Sequence, residues 1–303
     1  MTGFLSLASY ALDLCMQQTV YISPTRVPAP GVKPTLKLVR GIRWTRLVFH
    51  IGTGLLLVGL IFPRVGARRQ TGITQWWSQK TLRILNIVLS VHGARPAAGL
   101  RNLVIASNHI SWLDIYVINA AQPARFVAKA EIRDWPIVGW LCDKAGTIFI
   151  HRTKRSDTAR INDKMRDVLA TGWTIGLFPE GTTTAGDRLL KFHSSLFEPA
   201  VVNAALVLPI ALRYRTSSGE STDVAAYIGE LSFAESLTKI IAQKSMIAEI
   251  TFAPSINAAA MTRRDLALQT EAAVAAILDV PVPHAHQRFS ADAPKISLSA
   301  IRQ

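Results

Sequence analysis

From Leu47 to Phe62 the chain runs without a charge, relieved only by His50 and a few Gly and Thr residues. Arginines bracket this run: Arg43 and Arg46 before it, Arg64, Arg68 and Arg69 after it. As a helix it would be about 24 Å long, short of the roughly 30 Å hydrocarbon core of a bilayer. A second segment, Gln75 to Val91, opens on Trp76-Trp77 and sets Lys80, Arg83 and Asn86 among Leu82, Ile84, Leu85, Ile87, Val88 and Leu89. That pattern describes an amphipathic helix with an aromatic start, suited to a headgroup boundary. Residues 40–95 are therefore read as a membrane-seated helical hairpin sunk into one leaflet. A single clean span, or a buried core helix over 47–62, is the alternative. Both flanks are basic, so charge gives no orientation.

Charge supports the membrane reading. The chain carries 34 Lys+Arg against 20 Asp+Glu. Its first hundred residues hold twelve of those bases and one acid, Asp13. A basic segment of this kind meets nucleic acid or an anionic membrane. Long apolar stretches among the bases serve a membrane and not a nucleic-acid arm, so no nucleic-acid partner is expected. Cys15 and Cys142 stand far apart and provide neither a metal-ligand pair nor a disulfide framework. Residues 1–39 read as a tail and an extended linker containing Pro24, Pro28, Pro30 and Pro34. The first sixteen residues lack the Lys or Arg of a secretory signal, and Cys15 lacks the preceding small residue of a lipidation site.

From about residue 96 to 280 short apolar runs alternate with helical patterns. Strands are expected at Asn102–Ala106, Arg125–Ala128, Gly146–Ile150, Thr174–Phe178, Leu206–Leu212, Ala225–Ile228 and Glu249–Phe252. Helical patterns lie near 112–121, 156–171, 194–203, 235–246 and 262–278. Ser156 or Asp157 can cap the second of these, and Thr262 with Asp265 the last. The alternation predicts an α/β domain with a mainly parallel sheet flanked by helices. Pro209, inside an expected strand, predicts an edge or a bend there. Residues 281–303 show no period and read as a loosely ordered tail.

Chemistry concentrates where strands end. His109 and Asp114, in Ser107-Asn108-His109-Ile110-Ser111-Trp112-Leu113-Asp114, are five residues apart, about 140° on a regular helix. They can meet only if His109 lies on the turn before the helix and Asp114 on its first turn. The carboxylate would then fix the imidazole tautomer and leave the other ring nitrogen free to take a hydroxyl proton. Gly181 permits a sharp turn in Phe178-Pro179-Glu180-Gly181-Thr182-Thr183-Thr184, whose hydroxyls offer donors to a polar group. Arg152 closes Gly146-Thr147-Ile148-Phe149-Ile150-His151-Arg152 with a cation. His151, His193 and the pair His284/His286 have ordinary structural or solvated readings, and no metal site is expected.

In this order, together with the strand Leu206-Val207-Leu208-Pro209-Ile210, these stretches resemble the four blocks of the glycerolipid acyltransferase family, which includes the lysophosphatidic acid (1-acyl-sn-glycerol-3-phosphate) acyltransferases. The blocks are Asn-His-x-x-x-x-Asp, Gly-x-Ile-Phe-Ile-x-Arg, Phe-Pro-Glu-Gly-Thr and a Val-x-Pro-Ile-like strand, matched over about residues 100–213. The resemblance implies acyl transfer from an acyl thioester, acyl-CoA or acyl-carrier protein, to the sn-2 hydroxyl of 1-acyl-glycerol-3-phosphate. It implies His109 as general base and Asp114 as its orienting partner. Asn108, Lys129, Arg152, Glu180, Gly181, Thr182 and Thr183 take the substrate-binding positions. An activated thioester needs no nucleophilic Ser or Cys, and the chain has no G-x-S-x-G elbow. No cofactor is implied beyond the donor. The partners are a membrane lipid, a lyso-lipid acceptor and the thioester carrier. The implied setting is the cytoplasmic face of a bacterial inner membrane.

One position departs from the family. Many lysophosphatidate enzymes carry Arg directly after Phe-Pro-Glu-Gly-Thr, where this chain has Thr183. Replacing Arg by Thr removes a bidentate partner for a phosphate monoester. Arg152, Lys129, Arg188 or Lys191 could compensate, or the acceptor is another lyso-lipid, such as lyso-ornithine lipid or a lysophospholipid. A non-catalytic membrane-surface protein and a lipid hydrolase or transacylase are readings of other classes.

Overall fold

The computed structural model describes residues 35–97, 100–134, 138–150 and 157–283. Most of the expected N-terminal tail, the stretch holding His151, Arg152 and Ser156, and the histidine pair at 284 and 286 lie outside them.

Helix α1, Lys37–Leu56, begins inside the stretch read as linker and continues through a π turn (Leu57–Ile61) and a 3-10 turn (Phe62–Arg64). This continuous stretch, Lys37–Arg64, is 28 residues long, apolar and mostly exposed. It is thus long and apolar enough to cross a membrane. Leu38, Phe49, Leu56 and Leu60 face outward. The inner face holds on through polar groups. The Arg43 guanidinium donates to the carbonyls of Ile241 (2.8 Å), Gln243 (2.6 Å) and Lys244 (3.2 Å). These carbonyls lie at and just beyond the C-terminus of helix α7, Phe233–Ala242, where a cation is favoured.

Helix α2, Ala67–Ile84, starts earlier and ends earlier than the segment expected from the sequence. It buries Ser78, Thr81, Leu82 and Ile84. Gln75 and Gln79 donate to the Ala120 carbonyl at the end of helix α3, Asp114–Ala121. The second helix of the hairpin is thus built into the α/β layers. Residues Ile87–Val91, expected as its last turns, belong instead to strand β1, Ile87–His92. Asn86, at φ 58°, breaks the helix, a left-handed conformation that Asn tolerates better than most residues.

Seven further strands follow: β2 Leu103–Ser107, β3 Ala124–Lys129, β4 Ile148–Ile150, β5 Thr174–Leu177, β6 Leu206–Thr216, β7 Met246–Phe252 and β8 Ile256–Asn257. The sheet order is β1-β7-β6-β2-β5-β3-β4, with β8 paired to β6. All pairs are parallel except β6 with β7 and with β8. The sheet is therefore mainly parallel, as the alternating pattern predicts. Pro209 sits in an interior strand. The carbonyl of Pro209 accepts from Ala253 N–H, and its missing N–H faces the gap where β6 changes partner from β8 to β7. Ala225–Ile228, expected as a strand, is a loop; its Tyr227 N–H donates to the Ile110 carbonyl at 2.9 Å, so its backbone serves the turn after β2 and not a ladder.

The remaining helices are α4 Val138–Lys144, α5 Asp157–Ala170, α6 Glu198–Val202 and α8 Arg263–Leu278. Thr262 caps α8 by accepting from Asp265 N–H, as its sequence spacing predicts. Apolar side chains of β2 divide between two cores. Ile105 joins Leu113, Val117, Ile210 and Leu237 on one face; Val104 and Ala106 join Leu177, Val207, Leu266 and Val274 on the other. Each face is covered by helices, which leaves the carboxyl ends of β2 and β5 as the accessible rim, where open α/β sheets place their ligands.

Candidate active site

At that rim, β2 runs into the turn that bears His109, and α3 opens on Asp114. This is the one arrangement that lets the two side chains meet. His109 Nδ1 lies 2.8 Å from Asp114 Oδ2. The same oxygen accepts the backbone N–H of Ile110 (2.7 Å) and of Ser111 (2.9 Å). Tyr214 Oη, from β6, donates to the other oxygen at 2.7 Å. Asp114 is fully buried yet has a donor for each oxygen, which is what a buried carboxylate requires. Because a carboxylate only accepts, Nδ1 carries a proton, and in the neutral ring Nε2 presents a lone pair. No partner for Nε2 appears among the described residues, and the side chain is 13% exposed.

The ring is held from the side as well. Phe178, directly after β5, stacks on His109 with centroids 3.9 Å apart, and Phe126 of β3 stacks behind Phe178 at 5.4 Å. Stacked aromatic contacts of this kind restrict the orientation of the ring.

The other sequence-predicted residues divide. Asn108 is buried and its carboxamide pairs with the Leu212 backbone, accepting from N–H at 2.8 Å and donating to the carbonyl at 3.1 Å. Glu180 is 3% exposed; its two oxygens accept from the backbone of His109 (2.7 Å) and of Leu190 (2.8 Å). Burial, against those two bonds, pushes its pKa up to about 8. Both side chains thus brace the His109 turn from inside. Gly181, at φ 73°, turns the chain sharply after Glu180. Thr182 is partly exposed beside it. Thr183 donates its hydroxyl to the Tyr227 carbonyl, and Thr184 N–H donates to the His109 carbonyl at 2.9 Å. Lys129 closes β3, its backbone in register with Ile150. Among the described residues no group of His, Cys, Asp and Glu is arranged to hold a metal.

Two contributors escaped the sequence reading. Phe178 lay in a recognised block without a role. Tyr214 is a hundred residues from Asp114, and only the β2–β6 pairing brings them together.

A family model described as Acyltransferase matches residues 88–213. The chain is 34% identical to the lyso-ornithine lipid O-acyltransferase of Pseudomonas aeruginosa over 77% of this chain and 91% of that one. It is 37% identical to the 1-acyl-sn-glycerol-3-phosphate acyltransferase of Neisseria gonorrhoeae over 59% of this chain and 69% of that one. The fold is like that of the crystallised 1-acyl-sn-glycerophosphate (LPA) acyltransferase PlsC from Thermotoga maritima. That match has a TM-score of 0.59 at 19% identity and covers 84% of this chain and 97% of that one. An α/β enzyme with a histidine–aspartate pair at the sheet rim is the class this site defines. The chain belongs to the acyltransferase family, and within it is an O-acyltransferase.

Proposed function

We propose that the protein transfers an acyl group from an acyl thioester, acyl-CoA or acyl-carrier protein, to the free hydroxyl of a lyso-lipid at a membrane surface. The observation that carries this is the single unpaired nitrogen of His109, oriented through Nδ1 by a buried carboxylate. Nε2 takes the acceptor's hydroxyl proton as the oxygen attacks the thioester carbonyl. The new C–O bond forms, the C–S bond breaks, and the imidazolium returns the proton to the departing thiolate. A positioned base of this kind contributes about 10²–10⁴-fold. Lys129, Arg152 and the hydroxyl of Thr182 are the substrate-side groups in this reading. Asn108 and Glu180 act one step back, by holding the turn.

Lyso-ornithine lipid is the acceptor the site supports best. Thr183 stands where a phosphate-binding Arg would be, and its hydroxyl is already given to Tyr227. The P. aeruginosa relative also matches over more of both chains than the N. gonorrhoeae one. Acylation of 1-acyl-glycerol-3-phosphate is the second reading, favoured by that Neisseria relative. The basic N-terminal third and the apolar α1 support seating on an anionic membrane surface, and a soluble thioester donor favours the cytoplasmic side of a bacterial membrane.

The test is a thin-layer acyl-transfer assay on membranes bearing wild type or His109→Ala. Labelled acyl-CoA and acyl-carrier protein are offered with lyso-ornithine lipid, lysophosphatidate and lysophosphatidylcholine as parallel acceptors. Product from lyso-ornithine lipid that disappears in the variant is expected. Equal product from both proteins would defeat the base assignment, and product from lysophosphatidate alone would transfer the acceptor to the second reading.

A further inference from the structure

Strand β2 ends at Ser107, in register with Ile210, but β6 continues to Thr216. Beyond that point the Asn108 carboxamide replaces a peptide group and prolongs the pairing by binding Leu212 in both directions. Two residues further on the same face of β6 is Tyr214, 3% exposed, with its hydroxyl on Asp114 Oδ1. The three donors on Oδ2 are local to the His109–Ser111 turn and its ring. Among the hydrogen bonds of the described residues, Oδ1 has Tyr214 alone.

We propose that Tyr214 is a positioning residue for the His109–Asp114 pair: it holds the carboxylate plane toward Nδ1 and moderates the negative charge that the imidazole experiences. This rests on His109 acting as the base. Taking up a proton changes the pair from one net negative charge to none. A hydrogen bond to the anionic state favours that state, so the Tyr214 hydroxyl favours the form of the pair in which Nε2 is available. The phenol itself remains a donor, because burial first, and then the Asp114 charge, raise its pKa well above the usual value.

The other titratable groups around the pair come from separate elements. Glu180, after β5, accepts from His109 N–H, and Glu271 on α8 interacts electrostatically with Glu180. Tyr116 on α3 is raised to about 12, chiefly by burial. The loop tied to His109 through Thr184 carries Asp187, Arg188 and Lys191. Glu180 also feels the Asp114 charge, which helps to raise its pKa, whereas the Tyr214 hydroxyl acts on Oδ1 directly through a hydrogen bond; Tyr214→Phe in a Glu180→Gln background therefore separates the two effects.

The experiment uses the full chain in native-like membranes, with kcat and KM measured from about pH 5 to about pH 9. Tyr214→Phe is expected to lower kcat about tenfold near neutrality, with KM within about twofold. The acid limb of kcat/KM moves up by about one pH unit. Trifluorotyrosine placed at position 214 is an isosteric, stronger donor and moves the limb down; it also keeps the test alive if Tyr214→Phe misfolds. ¹⁵N titration of His109 follows both shifts. An acid limb that stays in place in both variants, whatever happens to kcat, reduces Tyr214 to packing and overturns the proposal. Failure of the base assignment looks different: His109→Ala would then retain both activity and acid limb.

Discussion

Phe178 and His109 are stacked 3.9 Å apart with ring planes 12° from parallel, and the stack reaches back to Phe126 and the backbone of Gly176. A Cβ at Gly176 would lie 2.6 Å from the Phe126 ring. Gly176→Ala therefore displaces the Phe126 ring and disturbs the aromatic column that packs on His109. Overpacking of this kind costs about 1–3 kcal/mol. The expected outcome is a lower thermal midpoint together with a roughly tenfold drop in kcat, as a small misplacement of a catalytic group suffices for such a loss. Normal turnover by a destabilised variant would show that the column does not orient the base.

Asp114→Asn keeps shape and removes charge. The new amide NH₂ can replace only one acceptor oxygen, so either the Tyr214 hydroxyl or the group of donors on Oδ2 loses its partner. The tautomer of His109 is no longer fixed. A loss in kcat of about 10²–10⁴-fold is expected, with the circular dichroism spectrum retained. A loss under tenfold would separate Asp114 from catalysis.

Glu180 predicts an unusual stability profile. Burial weakens this acid from its ordinary 4.5 to about 8, so the folded state binds its proton more tightly than the unfolded chain does. The stabilisation linked to that proton is complete below about pH 4.5 and is lost as pH rises to about 8. Denaturation of wild type and Glu180→Gln across this range should show wild-type stability falling relative to the variant. Parallel curves would mean that the backbone donors of His109 and Leu190 fully compensate the burial.

Arg43→Ala should release α1 from the end of α7. Three carbonyls lose a charged donor, and hydrogen bonds to charged groups contribute about 1.5–3 kcal/mol each at most. We expect thermal unfolding in detergent to drop by several degrees and proteolysis between α1 and α2 to accelerate. Lys at the same position would restore little, since a single ammonium lacks the planar fork that reaches three carbonyls.

Much of the sheet was legible because its signals are local. Apolar runs such as Leu103–Ala106 and Thr174–Leu177 are too short for helices and end at turn residues. The phase of His109 and Asp114 dictated how a helix must begin if they were to meet, and α3 begins that way. Ile87–Val91 reads as helix from the sequence because apolar positions in Leu85–Val91 satisfy helical and strand periods alike. The decision lies with β7, whose Met246 pairs with Ile87 from far along the chain. Asn108 and Glu180 carry polar side chains in blocks near the reaction, and nothing local tells an inward brace from an outward ligand. Burial does, and burial depends on Leu212 and Leu190 arriving from other elements.

A base able to deprotonate a lipid hydroxyl would deprotonate water as readily, and water is far more abundant. His109 shows 13% of its side-chain surface, one ring face lies against Phe178, and Nδ1 is taken. What remains open is the side of the ring that carries Nε2. If His109 is the base we propose, resistance to wasteful hydrolysis of an acyl donor resides in the walls around the imidazole: a bulky amphiphile seated against the rim would displace the competing solvent before the proton moves.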